Sequence, residues 1–264
     1  MHPALSFDAF STLPPTYKRV ATSAARGEYR DLQRLASFAR TSSETYAIST
    51  LPAFYANLNP SSIPSMAQLE TSISASLRLT IGNACVALGA LHTITHLGSF
   101  PLDASLDLWE RAWPWLEFLH LYQDYIEGAD ALIDVRTYII WCMLLINLEE
   151  HTETAQVMAH QPGVQALVTR CWMLTIGVSD EDRDEVFENA QYMLLLHPAD
   201  PVSLAEIVAE AGGTFDHLAA LVVRHLTQVI PRRAETVSFW STIATFFYNT
   251  EYKSVPFKDA LLAI

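Results

Sequence analysis

The chain has 264 residues, half of them hydrophobic, with 16 Lys and Arg against 29 Asp and Glu for a net charge of −13. That apolar share excludes a disordered polyelectrolyte, and the acidic balance excludes a nucleic-acid-binding surface over most of the chain, because such a surface must be positive. Cys85, Cys142 and Cys171 are three in number, sit in apolar surroundings and form no CxxC pair, which reads as reduced core thiols of an intracellular protein and excludes a disulfide framework.

The opening MHPALSFDAFSTLPP lacks the basic stretch and apolar run of a signal peptide. A first helix follows in PPTYKRVATSAARG, where Pro15 suits the opening turn and Gly27 a C-terminal cap. A second runs through EYRDLQRLASFAR. Residues 1–40 carry six Lys and Arg against three Asp and Glu, +3 net, which leaves −16 for residues 41–264. Arg26, Arg30 and Arg34 recur every fourth position, the spacing of a basic ridge on one helix. A solvated helix face is the ordinary reading of such a pattern, and a partner-docking ridge is the functional one.

TYAISTLPAFYANL gives a third helix that Pro52 bends or restarts. NPSSIPS, residues 59–65, is a loop, and residues 69–97 form a long helical region in which Gly82 and Gly89 are potential interruptions. Asp107 with Glu110 three residues on resembles a capping box ahead of WERAWPW. Asp134 precedes VRTYIIWCMLLINLEE, Pro162 opens PGVQALVTRCWMLTI, and Thr214 after Gly212-Gly213 begins TFDHLAALVVRHLTQVI. Further helices start after Ser179, at ETVSFWSTIATFFYN, and at Pro256 in PFKDALLAI. The longest apolar run, Tyr138–Ile146, has nine residues where a membrane span needs ~20, so no membrane partner is expected.

The stretch WERAWPWLEFLHLYQDYI, residues 109–126, poses a choice between a ligand box and a packed helix. On a helical wheel Glu110, Glu117 and Asp124 form one narrow acidic stripe, and apolar or aromatic residues cover well over half the circumference. That is a helix contacted from several sides with one wet edge. A ligand box needs converging polar groups, and only His120 and Gln123 offer any. Pro114 removes a hydrogen-bond donor and is expected to kink the helix near its first turns.

Pro114, Pro162, Gly212 and Pro256 each stand near the start of an apolar helical stretch, 48, 50 and 44 positions apart. Repeats of ~40–47 residues mark armadillo and HEAT arrays. The spacing hints at such an array without establishing repeats by itself; the expected fold is all-α with roughly 11–13 helices in one domain over residues 1–264, and an armadillo- or HEAT-like solenoid once the resemblance that follows is added.

Four phrases, LPAFYANLNPSSIP (51–64), DLWERAWPWLEFLHLYQDYI (107–126), QPGVQALVTRCWML (161–174) and EAGGTFDHLAALVVRHLTQVIP (210–231), together resemble the N-terminal helical region of a large family from mushroom-forming fungi that usually ends in a MYND-type zinc finger. The resemblance runs in order over nearly the whole chain and implies an armadillo-like region ahead of a finger. MYND fingers bind two zinc ions through Cys and His clusters and dock proline-containing peptides. With three isolated cysteines this chain has none of those ligands, so zinc is expected only with a C-terminal finger beyond Ile264, and no other cofactor is expected. An ending inside the apolar helix PFKDALLAI favours a missing continuation over a finger-less member.

No GxSxG, HExxH, GxxxxGK[ST] or strand-linked GxGxxG occurs. His92 and His96, four apart in HTITH, would share a helix face where two metal ligands can sit, yet no third ligand is evident. In SDEDRDEVFENA, Asp180 and Asp184 stand four apart and give the alternative reading, an all-helical metal-dependent enzyme. Ser179 with Asp182 also reads as an ordinary helix start, where carboxylates meet the favourable end of the helix dipole. The leading expectation is a non-catalytic intracellular scaffold that binds a protein partner, with Arg26, Arg30 and Arg34 as the candidate contact.

Overall fold

Proline and glycine punctuation sets the first four helices. In the computed structural model, which describes residues 1–70, 74–126, 135–175 and 201–228, Pro15 stands in the opening turn of α1 (Pro15–Ala24), where its missing N–H would have had no partner. Gly27, at φ +91°, ends that helix by turning the chain left-handed, so that α2 begins only at Tyr29 and runs to Thr41. Pro52 restarts rather than bends the chain: α3 (Glu44–Ile48) stops short of it, and it falls in the first turn of α4 (Leu51–Asn57).

The long region expected over 69–97 is two helices, α5 (Met66–Glu70) and α6 (Ala75–Thr95). Ser74 caps α6, its hydroxyl accepting from the Leu77 N–H at 3.2 Å. Neither Gly82 nor Gly89 interrupts it. By length and composition α6 is the one described helix long and apolar enough to cross a membrane, and half of that stretch is buried within the fold.

The capping box at Asp107 does not form. A 3₁₀ turn, Leu102–Ala104, feeds directly into α7 (Ser105–Tyr122), which leaves Asp107 inside the first turn. Its carboxylate accepts instead from the backbone N–H of His2, tying the N-terminal segment to α7. Pro114 lies in the interior of α7, which continues through it, so it does not mark a helix start and the spacing read from it loses its first landmark. The remaining described helices are α8 (Val135–Glu149), α9 (Thr152–Ala159), α10 (Val164–Thr175), α11 (Pro201–Glu210) and α12 (Phe215–Gln228). Among the described residues the protein is all-α, with twelve helices and no strand. The starts expected at Asp134, Ser179, ETVSFWSTIATFFYN and Pro256, with the apolar face of PFKDALLAI, lie outside the described residues.

The chain divides into two compact units, Met1–Val157 and Met158–Ile264. In the first, α6 packs against α2, α4 and α8, α1 lies on α2, and α7 meets α8. Its core holds Phe54, Trp109, Trp115, Tyr138 and Trp141. Three asparagine side chains tie separate helices together. Asn57 donates to the Ala24 carbonyl at 2.9 Å, Asn83 to the Gly27 carbonyl at 2.8 Å, and Asn147 to the Thr95 hydroxyl at 3.0 Å. In the second unit α10 packs on α11 and α11 on α12. The Gly163 N–H donates to Glu206 at 2.8 Å, and one turn on Arg170 approaches Glu210 at 3.8 Å. Thr214 caps α12, accepting from the His217 N–H at 3.2 Å.

Candidate interaction surface

Helical periodicity holds only while the helix is unbroken, and Gly27 breaks it. The Gly27 N–H bonds the Ala24 carbonyl at 2.9 Å, closing α1, so Arg26 sits in the turn while Arg30 and Arg34 stand one turn apart on α2. All three are exposed, but they do not form the single-helix ridge that their spacing implies.

The turn instead folds Arg26 onto the outer face of α1. Lys18, Arg19 and Arg26, with Thr22 and Ser23 between them, line an open groove of about 710 Å³. Beside it, the Arg34 guanidinium lies 5.8 Å from the centre of the Tyr17 ring, which stacks on Phe38. Sequence reasoning missed Lys18 and Arg19. Their signal is the set 15, 18, 19, 22 and 26, one face of a helix carried a turn further by the cap.

Charge gives this face its chemistry. Among the described residues no ion pair involves Lys18, Arg19, Arg26, Arg30, Arg34 or Arg40; the pairs fall elsewhere, at His2 with Asp103 and Arg170 with Glu210. Six of the chain's 16 Lys and Arg thus make no ion pair, and Glu28 is the one carboxylate that lines the groove with Lys18, Arg19 and Arg26.

The aromatic stretch is packing. On α7, Trp109, Trp113, Trp115, Leu116, Phe118 and Leu119 are buried, while Glu110 and Asp124 are exposed along the wet edge. Trp109 and Trp113 stack at 5.1 Å, and Trp115 meets Phe118 edge-on at 5.8 Å. The two polar groups that might have served a ligand are taken up by one hydroxyl. His120 Nδ1 lies 3.1 Å from the Tyr138 oxygen, and that hydroxyl donates to Gln123 at 3.3 Å.

His92 lies in α6 and exposed His96 at its C-cap. Burial, then the charge of His96, pushes the His92 imidazole below its ordinary pKa, and its Nε2 is sealed from solvent without a protein partner. Among the described residues no group of three His, Cys, Asp or Glu side chains is placed to hold a metal. Asp180 and Asp184 lie outside the described residues. His92 does line a second cavity, of about 650 Å³, walled by α2, α6 and Ile140 of α8. Compared with models of protein families, with curated proteins and with solved structures, the chain matches none.

Proposed function

We propose that the protein is a non-catalytic intracellular scaffold, an armadillo- or HEAT-like array that docks an acidic segment of a protein partner on the face formed by α1, the Gly27 turn and α2. The observation that carries this reading is the set of five cations without ion pairs, Lys18, Arg19, Arg26, Arg30 and Arg34, on a strongly acidic chain. None of these five makes an ion pair, and three of them, Lys18, Arg19 and Arg26, line the open groove together with Glu28. The resemblance of four phrases to the helical region of the fungal MYND-finger family supports an array of this kind. Zinc enters this reading only with a C-terminal finger, and no other cofactor is proposed.

The test is fluorescence anisotropy with a short labelled peptide rich in Glu and Asp. Replacing Arg26, Arg30 and Arg34 together by Glu removes exposed groups that make no ion pair, so the thermal midpoint should fall only slightly, through the lost Arg34–Tyr17 contact, while affinity falls at least about tenfold. Physiological salt should weaken the wild-type complex, since the screening length shrinks to ~8 Å. Equal affinity in the variant, or no binding by the wild type at low salt, would overturn the proposal. Millimolar magnesium should leave thermal unfolding unchanged; a stabilisation would favour the metal-dependent reading at Asp180 and Asp184.

A further inference from the structure

Gly89 stands in the interior of a 21-residue helix, where a glycine lowers helix stability relative to alanine and therefore calls for a reason. Gly82, two turns earlier, has one: a Cβ there would lie 3.3 Å from the Tyr29 ring, so α2 approaches α6 closely only because the side chain is absent. At Gly89 a Cβ would meet nothing within 4 Å. What the missing side chain preserves is space, the cavity of about 650 Å³ between α2, α6 and α8, within the ~300–1,000 Å³ range of small-molecule sites.

The lining has a direction. Val86, Ala90 and Ile140 supply apolar walls, and Arg40, exposed and without an ion pair, stands at the rim from the last turn of α2. No carboxylate lines the cavity, although the chain has 29 of them. Of the polar neighbours, Gln33 already donates to Tyr29 at 3.0 Å and Thr93 to the Gly89 carbonyl at 3.3 Å. The free positive group is therefore Arg40, and a guanidinium over apolar walls fits a carboxylate with a short aliphatic tail. The geometry points to a binding site for a small aliphatic carboxylate, its tail over Gly89 between Val86, Ala90 and Ile140, its charge on Arg40. The site is separate from the groove at Lys18, Arg19 and Arg26 and does not depend on the scaffold reading.

The experiment is a methyl NMR titration of the 264-residue protein, labelled at Val and Ile, with butyrate, hexanoate and octanoate, and with hexylamine and 1-hexanol as controls of equal tail. At least one carboxylate should shift the Val86 and Ile140 methyls saturably, and hexylamine should not. Arg40→Gln should weaken that carboxylate at least about tenfold and erase its advantage over hexanol, whereas Arg40→Lys, which keeps the charge, should retain the advantage. Gly89→Leu fills the space without meeting another atom at Cβ; it should abolish the shifts while circular dichroism is kept, the thermal midpoint is kept or raised and the acidic peptide still binds. Absence of saturable shifts with all three acids, equal binding of amine and acid, or a Gly89→Leu variant that binds as tightly as the wild type would overturn the site.

Discussion

Trp113 is 4% exposed and stacked on Trp109, and truncation leaves a hole that the rigid rings of α7 cannot fill. Trp113→Ala should cost ~3–5 kcal/mol in chemical denaturation, a large share of a typical domain's stability. The indole N–H of Trp113 is buried without a partner, so the ring's contribution is packing alone, and Trp113→Phe should cost far less than Trp113→Ala. Thiol chemistry reports the same core. Burial pushes the Cys85 thiol up to about 12, and Cys142 and Cys171 are buried, so all three should resist a thiol reagent at neutral pH until denaturant is added. Rapid labelling of Cys85 in the native protein would contradict this. Glu149 gives a pH signature. Burial raises its pKa from 4.5 to about 7, so the folded chain binds the proton more tightly than the unfolded one. Its contribution to stability is full below 4.5 and is lost as pH rises through 7. Glu149→Gln should thus raise the thermal midpoint at pH 8 by ~2–4 °C, which corresponds to roughly 1 kcal/mol once solvent screening of a partly exposed group is allowed for, and leave it unchanged below the unfolded-state pKa.

Helix ends decide what was legible at the scale of elements. Pro15, Gly27, Pro52 and Thr214 act through their own backbone chemistry, and each stands at a helix boundary as its residue type dictates. Asp107 misled because the 3₁₀ turn before α7 takes the helix start, and Pro114 misled as a landmark of a helix start because it lies inside α7. The buried asparagines Asn83 and Asn147 were invisible because their partners are carbonyl and hydroxyl groups far away in the chain. The basic face was half legible. Its residue types and charge imbalance are in the sequence, but the placement of Arg26 beside Lys18 and Arg19 depends on the left-handed turn at Gly27. The two glycines of α6 separate packing from propensity. Gly89→Ala should stabilise the protein by ~0.5–1 kcal/mol, because the new methyl meets nothing and the helix gains propensity. Gly82→Ala must push the Tyr29 ring, which α6 and Gln33 hold, and should gain less or lose stability in the same urea titration.

At the scale of the whole molecule, charge asymmetry is the property that most constrains function. The chain carries a net charge of −13, yet its first 40 residues run against it with six cations that make no ion pair. The all-helical architecture supplies the rigid support: α1 and α2 pack on each other, α2 on α6, and Asn83 locks the Gly27 turn between them. A surface held in this way presents its charges in fixed positions, as recognition of an extended acidic segment requires. The most direct measurement is hydrogen–deuterium exchange of the protein with and without the Glu- and Asp-rich peptide at low salt. Docking on the basic face predicts that added protection concentrates in α1, the Gly27 turn and α2, and disappears in the variant carrying Glu at positions 26, 30 and 34. Protection centred on α10 to α12 instead, or unchanged by the three substitutions, would contradict it.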